Sequence, residues 1–248
     1  MSRPSFLSTR EISVLVVLVA IGCGGSSANG HAPQANVAAS TAAQREFREI
    51  HRLWTTLAPE QRARLGPALD AFVKRHPDDR RARRARIYRA WIHVQQGRVD
   101  EARVLVKEVR AGPSGVVRDF AAVVEAAILL REGKPDQALS VLSPLEGKII
   151  DPEERFLFGE QRVIAALGAR RPTLALRAMR DWLGETAPEE RDAVRGRLLE
   201  LTRQIPAEPL FRAFTEMEAE KSEVTANPDR ARAREFLIPL TAERLSEL

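Results

Sequence analysis

From residue 42 onward the apolar residues recur at intervals of three and four rather than in alternation. That period belongs to helices buried along one face. In Val116–Arg131, for example, Val117, Phe120, Ala121, Val124, Ala127 and Ile128 fall on one side of a helix. Ala, Leu, Arg and Glu dominate, and no sustained strand pattern appears. Helix-start signals agree with the period. Asp151-Pro152-Glu153-Glu154 offers an N-cap, Pro in the first turn and acid behind it. Ala187-Pro188-Glu189-Glu190 and Asn227-Pro228-Asp229 repeat the order of Pro then acid, and His76-Pro77-Asp78-Asp79 reads as a helix end followed by a cap. The pattern predicts about ten to twelve helices joined by short turns, and hence an all-α fold.

The turns carry an internal repeat. Gly97 precedes Ala102 by five residues, with Asp100-Glu101 between them, and Gly133 precedes Ala138 by five, with Asp136-Gln137 between them. A looser copy runs from Gly168 to Ala175, and Ala68 supplies an earlier half-copy. The alanines are spaced by 34, 36 and 37 residues (68 to 102, 102 to 138, 138 to 175), a helix-pair period. The expected roles are steric. Glycine ends one helix at positive φ, and alanine lets the next helix approach closely. Val106 and Leu142, four residues on, fill the groove between repeats, and Pro113 and Pro152 close the units.

These residues resemble the tetratricopeptide repeat in a degenerate bacterial form, over roughly Gly66 to Leu183. The resemblance implies a right-handed helix-pair solenoid with a concave binding face. In the first helix of each pair, Arg89, His93 and Glu125 stand where that family carries aromatic residues and Leu.

The N-terminus is of another kind. Arg3 and Arg10 precede an uncharged apolar run from Ile12 to Ile21, which ends at Gly22-Cys23-Gly24. The run is shorter than the roughly 20 residues a membrane-spanning helix needs, and it reads as a secretory signal. Ala20-Ile21-Gly22-Cys23 resembles the lipobox of bacterial lipoproteins. That resemblance implies cleavage before Cys23, lipidation of its thiol and, with Gly24 following, residence at the periplasmic face of the outer membrane. Cys23 is the only cysteine, so it has no intramolecular disulfide partner. The next residues, to Thr41, contain no Asp, Glu, Lys or Arg and read as a flexible tether. The expected organisation is a lipoprotein signal at 1–22, a lipidated cysteine and linker at 23–41, and a helical repeat domain at 42–248.

Charge narrows the chemistry. The chain carries 39 Lys and Arg against 34 Asp and Glu, a net +5. The signs are interspersed, which gives no case for nucleic-acid binding. Arg80, Arg83, Arg84 and Arg86 are the densest local charge and suit an anionic partner if they project together. The four histidines lack metal-ligand spacing, and no nucleophile motif or phosphate-binding Gly-rich loop occurs. Neither a metal, a cofactor nor a catalytic residue is expected. Trp54, Trp91 and Trp182 are expected in the core.

The expected function is therefore a membrane-anchored scaffold for a protein or peptide partner in the cell envelope, and not an enzyme. Leu69–Asp79 with the Ala/Arg-rich helix behind it resembles the repeat style of lipoproteins in outer-membrane barrel assembly and Tol-Pal coordination. Leu145–Glu154 and Arg197–Pro206 are similar to the helical module of lipoproteins that activate penicillin-binding proteins, which implies a stand-alone activator module as the alternative. An all-helical cell-wall-degrading enzyme is a third class, with no residues to carry it.

Overall fold

A computed structural model describes residues 32–149, 151–219 and 242. Cys23, the expected signal at 1–22 and Asn227-Pro228 lie outside the described residues. The described chain is helical and includes no strand. Its helices are α1 (Ala32–Thr56), α2 (Gly66–Arg75), α3 (Arg80–Gln95), α4 (Val99–Arg110), α5 (Val116–Arg131), α6 (Pro135–Leu142), α7 (Pro152–Gly168), α8 (Pro172–Glu185), α9 (Arg191–Thr202) and α10 (Ala207–Ala219). Helix α1 begins inside the segment that composition assigns to the tether, because its Ala, Gln and Asn residues are compatible with a helix that gains its packing further on. A 3-10 segment, Pro59–Leu65, joins α1 to α2, and the Pro188–Glu190 turn leads into α9.

Successive helices pack as antiparallel neighbours from α2 through α8, and the odd helices α3, α5 and α7 also touch one another in a row. Helix α5 sits in the middle and meets α3, α4, α6 and α7. This explains why Ala122, Val123 and Ala126 are buried along with the predicted face of Phe120, Ala121, Val124, Ala127 and Ile128. One core runs from Ala43 on α1 to Ala165 on α7, and a second joins Val163 to residues of α8, α9 and α10. Phe156 packs against both. At the second core Gly159 is a close-approach site, since a Cβ there would lie 2.3 Å from the Trp182 ring.

The repeat turns share one geometry. Gly97 and Gly133 have φ of 74° and 71°. Beyond them the amides of Arg98 and Lys134 donate to the carbonyls of His93 (2.8 Å) and Leu129 (2.9 Å), the six-to-one bond of a Schellman helix end. In the third copy the left-handed residue is Arg170, at φ 55°, and not Gly168, which is the last residue of α7. Arg171 donates to Ala166 at 2.9 Å in the same pattern. Arg170 precedes Ala175 by five residues, as Gly97 precedes Ala102 and Gly133 precedes Ala138, so the looser copy is in register. Gly168 serves packing instead, because a Cβ there would come within 3.0 Å of Pro135. Ala102, Ala138 and Ala175 are fully buried. Ala68 is exposed, and Leu69 and Phe72 turn inward on α2, so the half-copy at Ala68 does not hold as a packing position.

Candidate functional site

Asp151 caps α7, accepting from the amide of Glu154 at 3.3 Å. That cap places Asp151, Glu153 and Glu154 opposite α1, α3 and the Pro59–Leu65 segment. Arg84 on α3 donates to Asp151 (2.7 Å) and to Glu154 (2.5 Å) and lies 5.7 Å over the Tyr88 ring. Tyr88 is stacked on Trp54 at 4.1 Å, and its hydroxyl hydrogen-bonds His51 Nδ1 at 2.8 Å. Arg62 covers the other part of Trp54 at 4.9 Å and donates to Glu153. Burial pushes the Glu154 carboxyl up to about 7, against the lowering influence of Arg84. Burial also raises the Tyr88 hydroxyl, and burial together with the Arg84 charge lowers His51. Tyr88 is fully buried and Glu154 nearly so; the Tyr88 hydroxyl is met by His51 and the Glu154 carboxylate by Arg84. The cluster is partly open to solvent at His51, Arg84 and Asp151, and it ties helix starts together.

This placement disperses the arginines expected to form one anionic-partner patch. Arg83 donates to the carbonyls of Val109 (2.9 Å) and Pro113 (3.1 Å), closing the end of α4. Arg84 is in the buried cluster, and Arg86 faces Glu108 at 3.7 Å. Only Arg80 of the four is exposed. Successive residues of a helix point about 100° apart, so four arginines in seven positions spread around it. The three tryptophans are buried as expected.

Beside the cluster the odd helices line a groove of about 900 Å³. Helix α3 contributes Trp91, Val94 and Gln95, and α5 contributes Ala127, Leu130 and Arg131. Phe156, Leu157, Glu160, Gln161 and Ile164 come from α7, and Glu190, Ala193, Arg197 and Glu200 come from α9 and the turn before it. Pro59, Glu60 and Arg62 border the end where the odd helices start. The size and the mostly apolar floor suit a ligand-binding cleft. Arg197 donates to Glu160 (2.6 Å) and Glu200 (2.5 Å). Of the groove-lining residues, Trp91 Nε1 and the Nε and Nη1 of Arg62 are buried without a hydrogen-bond acceptor, and the same holds for Trp54 Nε1 and Arg84 Nε in the neighbouring cluster.

The groove escaped the sequence reading, which assigned Glu153 and Glu190 to helix starts. A signal was present. Trp91, Ala127 and Ile164 line the groove at offsets of 36 and 37 residues (91 to 127, 127 to 164), the same period as the buried alanines. Applied to the first helix of each pair, that offset picks out a groove column.

Among the described residues no group of His, Cys, Asp and Glu is placed to hold a metal. None of the described helices is long and apolar enough to cross a membrane.

Helix pairs in a row, with left-handed turns at a fixed offset and a cleft on the first helices, define a helical-repeat protein. The chain belongs to the tetratricopeptide repeat-like domain family, whose model matches residues 8–152. Past that match α7 pairs with α8, and α10 packs on α8. Comparison with curated proteins gives no match, and neither does comparison with solved structures. Membership makes the chain a scaffold of the protein-binding type, a fold that is typically non-catalytic.

Proposed function

We propose that this protein is a membrane-anchored scaffold of the cell envelope that holds a protein or peptide segment in the groove of α3, α5, α7 and α9. The observation that carries the binding reading is the groove itself: a cleft of about 900 Å³ with a mostly apolar floor and charged residues along it. A peptide segment supplies apolar side chains for the floor and polar groups for the charged residues beside it. The envelope part rests on the N-terminal sequence, where Arg3, Arg10, the Ile12–Ile21 run and Gly22-Cys23-Gly24 fit a lipoprotein signal for the periplasmic face of the outer membrane. Barrel assembly, Tol-Pal coordination and activation of penicillin-binding proteins are the partner settings its repeat style suits.

Two experiments test this. A photo-crosslinker at Gln95 or Ala193 should capture one discrete partner in envelope preparations, and capture equal to that of a convex-face position such as Val104 would sink the groove reading. Cys23→Ser should release the protein from membranes. Retention of that variant in the membrane fraction would refute the lipid anchor while leaving the groove reading standing.

A further inference from the structure

Eight charged side chains line the groove. Five are carboxylates (Glu60, Glu153, Glu160, Glu190, Glu200) and three are arginines (Arg62, Arg131, Arg197). The arginines are largely committed. Arg62 is held by Glu153, and Arg197 is shared between Glu160 and Glu200. Arg131 alone among them is at the exposed edge, whereas Glu60 and Glu190 have no Lys or Arg within ion-pair distance among the described residues. The lining therefore carries two more negative than positive charges (5 − 3). The surplus concentrates at the end near α7 and α9. There Glu190 and Asp151 both push the half-buried Glu153 carboxyl upward, adding to the larger effect of burial, while Arg62 opposes them. Like charges crowded beside a low-dielectric wall make a site that gains from an incoming cation.

The floor asks for something else. The floor is apolar, with Trp91, Val94, Leu130, Phe156 and Leu157 among its residues. Apolar side chains of a bound segment are removed from water on such a floor.

Resting on the peptide-binding reading above, we infer that the groove's partner is a cationic amphipathic segment, with apolar side chains on the floor and Arg or Lys against Glu60 and Glu190. An acidic segment is the poorer fit, because each arginine it would seek except Arg131 is already neutralised by this chain.

The test uses full-length protein in detergent and two short labelled peptides. They share Leu and Phe positions, and one carries Arg where the other carries Glu. Fluorescence anisotropy should show the Arg peptide binding more tightly, with affinity falling as salt rises. Reversing both rim acids, Glu60→Lys with Glu190→Lys, should weaken it roughly tenfold. Ala193→Trp, at an exposed position in the groove wall, should block both peptides, and far-UV circular dichroism verifies that each variant is folded. Preference for the Glu peptide, or no loss on rim reversal, overturns the cationic partner while the groove reading survives. Binding of either peptide undiminished by Ala193→Trp overturns the groove as well. If neither peptide binds, the cationic partner is overturned, and the crosslinking at Gln95 and Ala193 decides the groove separately.

Discussion

Arg84 and Glu154 lie 70 residues apart in the chain and meet at 2.5 Å, joining the starts of α3 and α7. These helices belong to repeats separated by the whole α5–α6 pair. Removing one member of a buried ion pair leaves the other uncompensated, which typically costs several kcal/mol. Arg84→Ala should therefore destabilise the protein by about 3 kcal/mol. Urea denaturation of the variant checks this, and a loss below about 1 kcal/mol would mean that Glu154 finds water or another partner.

The same carboxylate sets a pH dependence. Glu154 is raised from 4.5 to about 7, so the folded state holds its proton more tightly than the unfolded chain does. Stability from this group is fully present below about pH 4.5 and is lost as pH rises to about 7. His51 is lowered, and its contribution has the opposite sign, present above about pH 6.5 and lost as pH falls. Glu154→Gln should remove the first slope only. The stability of this variant, measured by urea titration from pH 4.5 to 7.5, should rise more steeply with pH than that of the parent protein.

Left-handed backbone makes a pair of opposite predictions at equivalent turns. Gly133→Ala places a Cβ at φ 71° and should cost about 1 kcal/mol. Arg170→Gly relieves the same conformation at φ 55° and should stabilise by up to about 1 kcal/mol. Thermal melts of the two variants compared with the parent decide it. Shifts of the same sign would show that the third turn is not equivalent to the second.

At Gly159 a methyl group would press on the Trp182 ring. Gly159→Ala should cost about 1–3 kcal/mol and shift Trp fluorescence as α7 and α8 part. An unchanged spectrum and midpoint would show that Trp182 can swing aside.

Protection against hydrogen exchange should be graded along the array. Helix α5 is surrounded by four others, whereas α10 packs chiefly on α8 and carries Phe211 at 60% exposure. The slowest amides are expected in α5 and the fastest helical ones in α10. Uniform protection would indicate one all-or-none unit.

Much of this architecture is legible in the residues. Val116–Arg131 is a helix with the bounds its apolar period marks, and the Asp79 and Asp151 caps form as read. Local chemistry suffices there, because period and cap geometry depend on residues within a turn or two. The turn of the third repeat is not legible at Gly168, because the left-handed site is filled by Arg170, a residue type that does not advertise that conformation. The groove and the Arg84 cluster depend on contacts such as 62 to 153 and 84 to 151, which no local pattern encodes. The arginine run marks a surface patch by local pattern, but the ion pairs that engage Arg84 depend on α7, far along the chain.

The bond between Arg84 and α7 also bears on how such a chain can change length. In an ordinary string of helix pairs, units can be inserted or deleted with little disturbance beyond their immediate neighbours. Here the first and third pairs clasp each other across the second. Excising Val116–Leu142 would remove the spacer that brings Arg84 opposite its carboxylates, and an added pair would carry them out of reach. A change in the number of pairs between Arg84 and Asp151 should therefore break a contact that involves none of α4, α5 and α6.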